Sequence, residues 1–263
     1  MSSYGGWALV TGASMGLGEA FARELAAQDV PLVLVALEQD RLASLAEELK
    51  GAHGVECRIL AADLTEDAAF QELEALTADI EVGLLVNNAG IGAGGDFVTR
   101  DPGRVAAAVK LNCLAPLRLT RHYLPAMKAR GRGGVIFVGS LMSFISAPYE
   151  ATYCGTKAFN RSLAEALSAE LRGTGVDVLA LCPAGMRTAF YAADGIRDSD
   201  VDRLLRFSDP PGKLARLGLR ALGRRPVASP WFTGLVRFLV RLAPRRLAIE
   251  ITRAIMRGAV RYH

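Results

Sequence analysis

Near its start the chain reads Trp7-Ala8-Leu9-Val10-Thr11-Gly12-Ala13-Ser14-Met15-Gly16-Leu17-Gly18, a short apolar run that leads into a glycine-rich turn. An amphipathic pattern follows over Leu17–Ala27, so this stretch predicts a strand, a tight turn and a helix. Glycines let a backbone turn sharply and approach a ligand, and the first amides of a helix attract phosphate. The spacing G-x-x-x-G-x-G is a weak indication by itself, but its position after the first strand favours a dinucleotide site.

Short apolar runs and amphipathic stretches alternate along most of the chain. The predicted strands are Trp7–Val10, Leu32–Ala36, Glu56–Leu60, Leu84–Val86, Val135–Val138 and Val176–Leu181. The predicted helices between them are Leu17–Ala27, Asp40–Lys50, Asp67–Thr77, Pro102–Ala129 and Ala151–Arg172. Apolar strands that alternate with helices are typical of a parallel sheet covered on both faces. We therefore predict a doubly wound α/β (Rossmann) fold, with ligands bound beyond the carboxyl ends of the strands.

The length of 263 residues suits one α/β unit, and residues 1–263 are predicted to form a single domain. Charge is divided unevenly within it. From Arg203 onward 14 Lys and Arg face two acidic residues, a net charge of +12, whereas the first 202 residues carry −8. Such asymmetry indicates a surface for a membrane or an acidic partner. Nucleic acid is not predicted as a partner, because the larger part of the chain is acidic and contains no recognised binding module.

The cysteines indicate a reducing compartment. Cys57, Cys113, Cys154 and Cys182 lie far apart, without a CxxC pair, and no histidine stands at metal-ligand spacing. No metal site is therefore predicted, and the thiols are expected to be reduced and packed. No signal peptide precedes the first apolar run, so we expect a cytoplasmic protein, with peripheral contact at a membrane as an alternative.

A tyrosine and a lysine, Tyr153 and Lys157, stand four residues apart, thirteen residues after Ser140. Residues at this spacing share one face of a helix. An ammonium beside a phenol stabilises the phenolate, which suits the phenol to exchange a proton with a substrate near neutral pH. Taken alone, the pair is equally compatible with a helix surface that happens to carry both residues.

Two further polar segments follow predicted strands. Asp63, before Leu64, comes directly after the third strand, where its carboxylate either accepts from an adenine amino group or caps the next helix. The run Asn87-Asn88-Ala89-Gly90 follows the fourth strand. Because the carboxyl ends of parallel strands share one edge of the sheet, these segments are expected beside the glycine-rich turn.

The motifs together resemble those of the short-chain dehydrogenase/reductase family over about residues 5–190. They are, in chain order, Gly12, Gly16, Gly18, Asn87-Asn88-Ala89-Gly90, Asn112, Ser140, Tyr153 and Lys157. The resemblance implies a seven-stranded sheet in the order 3-2-1-4-5-6-7 and hydride transfer to or from a nicotinamide. It also implies a homodimer or homotetramer formed through the long helices Pro102–Ala129 and Ala151–Arg172.

The resemblance assigns four catalytic roles. It implies that Tyr153 is the acid/base, that Lys157 stabilises the tyrosinate and holds the nicotinamide ribose, and that Ser140 orients the substrate oxygen. Asn112 is similar to the family asparagine that positions a water in a proton relay. The residues implied to contact the cofactor are Gly12, Ser14, Gly16, Leu17, Gly18, Leu37, Glu38, Asp63, Leu64, Asn88, Ala89, Gly90, Tyr153, Lys157, Pro183, Gly185 and Thr188. The family usually has glycine directly after the proline, whereas Ala184 follows Pro183 here.

The choice between NAD and NADP stays open. Relatives that prefer NADP place an arginine where Leu37 stands, and those that prefer NAD place an aspartate where Ala36 stands. Glu38 suits a ribose hydroxyl and repels a 2′-phosphate. Ser14 and Arg41, by contrast, suit a phosphate. The expected cofactor is therefore NAD(P)(H) without a preference.

The residues expected around the substrate are apolar. Those near Ser140 are Leu141, Met142 and Tyr149, and a lid predicted over residues 186–223 contributes Phe190 and Tyr191. Such a pocket favours a bulky hydrophobic ketone or alcohol. Together with the hydride transfer that the resemblance implies, this predicts an oxidoreductase that interconverts a secondary alcohol and a ketone. The alternative is a protein that binds a dinucleotide without catalysis, as a sensor or a membrane-associated scaffold.

Residues 229–263 are predicted to form a basic helical extension. Ser229 and Pro230 are expected to open the first of its helices, as N-cap and first residue, and a second helix follows Pro244. Three interpretations remain: helices that pack on the body or close the substrate site, contact with a membrane surface, and docking of an acidic carrier. No apolar run approaches the roughly 20 residues that a spanning helix needs.

Overall fold

A computed structural model describes residues 4–184 and 209–259, with side chains up to Met256. Its centre is a sheet of parallel strands in the order β3-β2-β1-β4-β5-β6-β7. The strands are β1 (Trp7–Thr11), β2 (Leu32–Ala36), β3 (Cys57–Ala61), β4 (Val82–Asn87), β5 (Gly133–Val138), β6 (Val176–Leu181) and β7 (Val227–Ala228). The predicted fold class and strand order are confirmed.

Helices cover both faces of the sheet. They are α1 (Gly16–Ala26), α2 (Gln39–His53), α3 (Asp67–Thr77), α4 (Pro102–Val109), α5 (Ala115–Arg130), α6 (Ala151–Glu170), α7 (Pro211–Ala221), α8 (Trp231–Leu242) and α9 (Arg245–Ala259). Strand residues alternate between two cores. Ala8 and Val10 pack with α1, α2 and α7, whereas Leu9 packs with α3, α5 and α6. This alternation follows from the period of two residues in a strand.

The predicted helix Pro102–Ala129 contains an irregularity. A π-helical turn over Lys110–Leu114 separates α4 from α5, and Asn112 lies within it. One extra residue in a helical turn leaves the amphipathic pattern on either side nearly unchanged, so periodicity does not reveal it. Such turns occur frequently at functional sites.

The predicted helix start at Ser229 is wrong by one residue. Pro230 is the N-cap of α8, with an extended backbone (φ −57°, ψ 160°), and no side chain caps the helix. Two contacts join the C-terminal helices to the segment that follows Ser140. The Thr252 hydroxyl of α9 donates to the Ser146 carbonyl over 3.1 Å, and the Arg237 guanidinium of α8 lies 5.2 Å from the Phe144 ring centre.

Exposed apolar side chains occur on the helices that are predicted to mediate dimerisation. They are Val109 at the end of α4, Leu114 in the π-helical turn, Leu117 on α5 and Phe159 on α6. The homodimer stays a prediction. Within the described ranges, no helix has the length and apolarity that crossing a bilayer requires.

Candidate active site

The glycine-rich turn between β1 and α1 leaves no room for side chains. A Cβ on Gly18 would overlap the Gly12 carbonyl oxygen. Gly12 and Gly16 have φ of 64° and 63°, a region that favours glycine. The Asn88 amide donates to the carbonyls of Thr11 and Gly12 over 2.9 and 3.1 Å. The turn is thus held against the loop that follows β4.

Thr11 organises the same junction, although it was not among the predicted site residues. Its hydroxyl oxygen accepts from the backbone amides of Asn88 and Ala89, each over 3.0 Å. The hydroxyl donates to the Val86 carbonyl over 3.3 Å. The threonine directly before Gly12 is the signal that would have identified it.

Tyr153 and Lys157 lie on the first turns of α6, one turn apart as their spacing predicts. The Lys157 Nζ is 5.7 Å from the centre of the Tyr153 ring and donates to the Val138 carbonyl over 2.9 Å. Lys157 is buried, and burial lowers the pKa of its ammonium to about 8. The lysine therefore stays mostly charged at pH 7.

Ser140 begins a short 3₁₀ turn after β5, and its Oγ accepts from the Met142 amide over 3.2 Å. Ser143, which sequence reasoning missed, links this serine to the lysine. Its Oγ accepts from the Ser140 amide over 3.0 Å and donates to the Lys157 carbonyl over 2.9 Å. Ser143 thereby fixes the position of Ser140 relative to the backbone of Lys157 and is a positioning residue.

Asn112 is fully buried behind the catalytic helix. Its side-chain oxygen accepts from the Ile91 amide, and its side-chain nitrogen donates to the Ile91 carbonyl, each over 2.9 Å. The same nitrogen donates to the Thr156 hydroxyl over 3.1 Å, and the Asn160 amide donates to the Asn112 carbonyl over 2.9 Å. The π-helical turn thus fixes the loop after β4 against α6.

These residues surround a cavity of about 1,010 Å³ at the carboxyl ends of the strands. The predicted residues that line it are Gly12, Ser14, Gly16, Leu17, Leu37, Glu38, Asp63, Leu64, Asn88, Ala89, Gly90, Ser140, Leu141, Met142, Tyr153, Lys157 and Pro183. Gly18, Asn112 and Tyr149 are not part of the lining that the described residues form. The predicted positions Gly185, Thr188, Phe190 and Tyr191 lie outside the described residues.

The C-terminal helices form one wall of the cavity. Their lining residues are Phe232, Val236, Leu239, Val240, Ala243, Ala248, Ile251, Thr252, Ile255 and Met256. All but the threonine are apolar. Closure of the substrate site by the extension was one of three interpretations, but none of these residues was assigned to the site, because helical spacing does not reveal which surface of the body a helix face covers.

A protein-family model described as short chain dehydrogenase matches residues 6–196 of the chain. The chain belongs to the short-chain dehydrogenase family. Members of this family are oxidoreductases that use NAD(P). The match ends before the C-terminal helices, so their part in the cavity follows from the structure.

Relatives of this short-chain dehydrogenase include fungal reductases. The very-long-chain 3-oxoacyl-CoA reductase of Podospora anserina is 38% identical over 179 residues, which cover 66% of this chain and 53% of the reductase. The chain thus spans about half the length of the curated relatives it matches.

Solved structures of similar proteins contain either nicotinamide dinucleotide. A short-chain dehydrogenase from Sphingobium yanoikuyae in complex with NADPH has a TM-score of 0.78 at 30% identity, covering 90% of this chain and 96% of its own. A short-chain dehydrogenase from Burkholderia phymatum in complex with NAD has a TM-score of 0.82 at 28% identity, covering 96% of this chain and 97% of its own.

The cavity of this short-chain dehydrogenase fits such a cofactor. The close packing of Gly12 and Gly18 brings bare backbone to the N-terminus of α1, where amides and the helix dipole attract a pyrophosphate. At the adjoining end of β2, the Ser14 hydroxyl donates to the Glu38 carboxylate over 2.8 Å. Lys157 has two further ammonium hydrogens for a ribose, because only one is used by Val138.

Two ionisable residues also line the otherwise apolar part of the cavity. Arg104 donates through Nε to the Gly92 carbonyl over 3.0 Å, and Glu150 is buried beside Gly94. Neither was predicted as a site residue. Their position shows that the wall near Tyr153 is not uniformly apolar.

Proposed function

We propose that this short-chain dehydrogenase interconverts a ketone and a secondary alcohol within a long apolar substrate. The observation that carries the proposal is a single cavity that joins Tyr153 and Lys157 to the apolar wall of α8 and α9. A pocket of this composition binds an apolar chain by removing it from water and orients it through a few polar groups.

The names of the curated relatives favour a 3-oxoacyl thioester as the substrate class. Their name, very-long-chain 3-oxoacyl-CoA reductase, describes reduction of a ketone in a long acyl chain. The wall of α8 and α9 is suited to the acyl chain, and the keto group would lie at Ser140 and Tyr153.

In the proposed reduction, the Tyr153 hydroxyl donates its proton to the carbonyl oxygen. Ser140 donates a hydrogen bond to the same oxygen, which its hydroxyl can do while it accepts from Met142. The Lys157 ammonium stabilises the tyrosinate that forms. A nicotinamide dinucleotide, when bound, supplies the hydride, and alcohol oxidation is the reverse.

Chain length is the test of the substrate class. We expect kcat/KM to rise at least about tenfold from an acetoacetyl to a 3-oxododecanoyl thioester, because each buried methylene contributes up to about 0.8 kcal/mol. Steady-state oxidation of NADH or NADPH with the series measures this. A higher kcat/KM for acetoacetyl thioester, or for small polar carbonyl compounds, would contradict the proposed substrate.

A matched pair of variants tests the wall itself. Val236→Asp places a charge in the cavity wall, so it should remove most of the preference for the long chain and leave acetoacetyl turnover within about twofold. Val98→Asp adds the same charge at a side chain that is 90% exposed and outside the cavity lining, and should match the wild type.

We also propose that NAD(H) is preferred over NADP(H). The Glu38 carboxylate stands at the end of β2. Of the two candidates for a phosphate contact, Ser14 donates to that carboxylate, and Arg41 is not part of the cavity lining that the described residues form. A 2′-phosphate would therefore approach a negative charge, whereas a ribose hydroxyl would find an acceptor.

Glu38→Ala should lower the ratio of kcat/KM for NADH to that for NADPH by at least about tenfold, which corresponds to 1.4 kcal/mol of lost repulsion and lost hydrogen bonding. Initial rates with each cofactor measure the ratio. Glu47→Ala, at an exposed position of α2, is the control and should leave the ratio unchanged. A wild-type preference for NADPH would refute the proposal.

A further inference from the structure

The C-terminal helices expose an unusual amount of apolar surface. We define the apolar face by its side chains: Trp231, Leu235, Phe238, Leu239 and Leu242 of α8, with Leu247, Ile251 and Ile255 of α9. These eight are more than half of the fifteen large apolar residues that are exposed in the described ranges. Concentration of this kind marks a surface that contacts an apolar partner.

The apolar face is one stripe on each helix. On α8, Trp231, Leu235, Phe238 and Leu242 follow the spacing of four, three and four residues that places side chains on one side of a helix. Trp231 is 72% exposed and Phe238 is 59% exposed. Both side chains thus face away from the body and leave large rings in solvent.

The same face leads into the catalytic cavity. Leu239, Ile251 and Ile255 are about half exposed, and they also line the cavity. Val236 and Val240 continue the lining on the adjoining side of α8. An apolar molecule that reaches the exposed face therefore meets continuous apolar surface up to the site of Tyr153.

Arginines border the apolar face. Residues 229–256 contain Arg237, Arg241, Arg245, Arg246 and Arg253, against a single acid, Glu250. Arg253 lies 3.3 Å from Glu250, which neutralises one of these charges. The surface therefore combines exposed aliphatic and aromatic side chains with a positive border.

We propose that the apolar face docks on an anionic lipid bilayer and admits apolar substrate from the bilayer to the cavity. An amphipathic helix with large apolar residues on one side and arginines beside them lies in the plane of such an interface. The negative surface potential of anionic lipid attracts the arginine border. Admission of substrate rests on the proposed reductase activity, whereas the docking itself does not.

Charge and apolarity distinguish the bilayer from the other occupants. A second copy that met this face about a two-fold axis would bring two positive borders together, since such an interface uses the same patch twice. An acidic carrier would match the arginines but would leave the centre of the face, with Trp231 and Phe238, against a charged surface. A bilayer satisfies both parts of the surface.

Binding of the full chain to vesicles tests the proposal. We expect flotation with phosphatidylcholine vesicles that contain about 30% phosphatidylglycerol, and binding weakened at least about tenfold in pure phosphatidylcholine or in about 0.5 M salt. Trp231 reports the contact directly in a Trp7→Phe background, because the chain has two tryptophans. Its emission should shift to shorter wavelength when anionic vesicles are added.

Two variants make the test specific. Phe238→Asp removes a ring from the apolar face without touching the cavity lining, and should weaken vesicle binding at least about tenfold while preserving turnover of a soluble ketone. Val98→Asp adds the same charge at an exposed apolar residue elsewhere and should bind as the wild type.

Several outcomes would overturn the docking proposal. They are wild-type chain that stays unbound to the anionic vesicles, equal binding by Phe238→Asp, or an unchanged Trp231 spectrum. Self-association in sedimentation that Phe238→Asp abolishes, without vesicle binding, would assign the face to a second copy. Binding to an acidic acyl carrier protein, without vesicle binding, would assign it to a carrier. Because turnover of the soluble ketone is measured separately, loss of docking is distinguishable from failure of the proposed activity.

Discussion

Tyr153→Phe should lower kcat by about a thousandfold and leave the dissociation constant of the dinucleotide within about twofold, since general acid–base catalysis contributes roughly 10² to 10⁴. The substitution removes one hydroxyl and retains the ring beside Lys157, so the cavity and α6 keep their shape. Steady-state turnover of a ketone, together with titration of the dinucleotide by fluorescence, measures both quantities.

The same variant separates the enzyme from a non-catalytic dinucleotide-binding protein. A sensor or scaffold would have no turnover for the variant to lose, and unchanged turnover in Tyr153→Phe would eliminate the proposed acid/base. Tyr123→Phe is the matched control. It removes a buried hydroxyl 3.0 Å from the Thr77 hydroxyl, remote from the cavity lining. It should cost about 1 kcal/mol of stability and leave kcat unchanged.

Lys157→Met should remove activity and at the same time stabilise the fold. Burial lowers the pKa of Lys157 from 10.5 to about 8, so holding the charge at pH 7 costs up to about 3 kcal/mol. Methionine is unbranched, apolar and of similar length, and it avoids that cost. The Val138 carbonyl loses its donor, which destabilises the folded variant by about 1–2 kcal/mol. We expect a net gain of about 1–2 kcal/mol in urea unfolding at pH 7, with kcat reduced at least about a hundredfold.

The pH dependence of stability gives an independent measurement. Between pH 8 and 10.5 the folded chain has released the Lys157 proton, whereas the unfolded chain still binds it. The free energy of unfolding therefore gains a positive slope with pH in this window, because the unfolded state binds more protons. Lys157→Met should lack that contribution. Lys128→Met, at an exposed lysine on α5, should change neither the stability at pH 7 nor the slope. A less stable Lys157→Met with the wild-type slope would contradict the assigned cost of burial.

Local pattern predicted most of the fold. β2, β6 and α3 have the predicted bounds, and the other predicted strands and helices differ by a few residues at their ends, apart from the helix that the π-helical turn divides. This agreement has a physical cause: a fully buried parallel strand must be apolar along its length, and a helix on its face must be amphipathic. The spacing of Tyr153 and Lys157 likewise follows from helix geometry, which depends on neighbouring residues alone.

Contacts between distant segments were not predictable in the same way. The link from Ser140 through Ser143 to Lys157 depends on the packing of α6 against the end of β5. The hydrogen bond between Ser14 and Glu38 joins the loops after β1 and β2. Small polar residues of these types occur in every surface loop, and only their partners distinguish them.

The sequence by itself determined a doubly wound sheet, a glycine-rich turn at its carboxyl edge and a proton-transfer pair on one helix, because each of these depends on residues close together in the chain. Only the tertiary structure decided which apolar side chains of α8 and α9 line the cavity, which stay in solvent, and which do both. These side chains all follow the same helical periodicity, so the sequence pattern cannot distinguish them. The body of the protein distinguishes them, because it covers some of these side chains and leaves others in solvent.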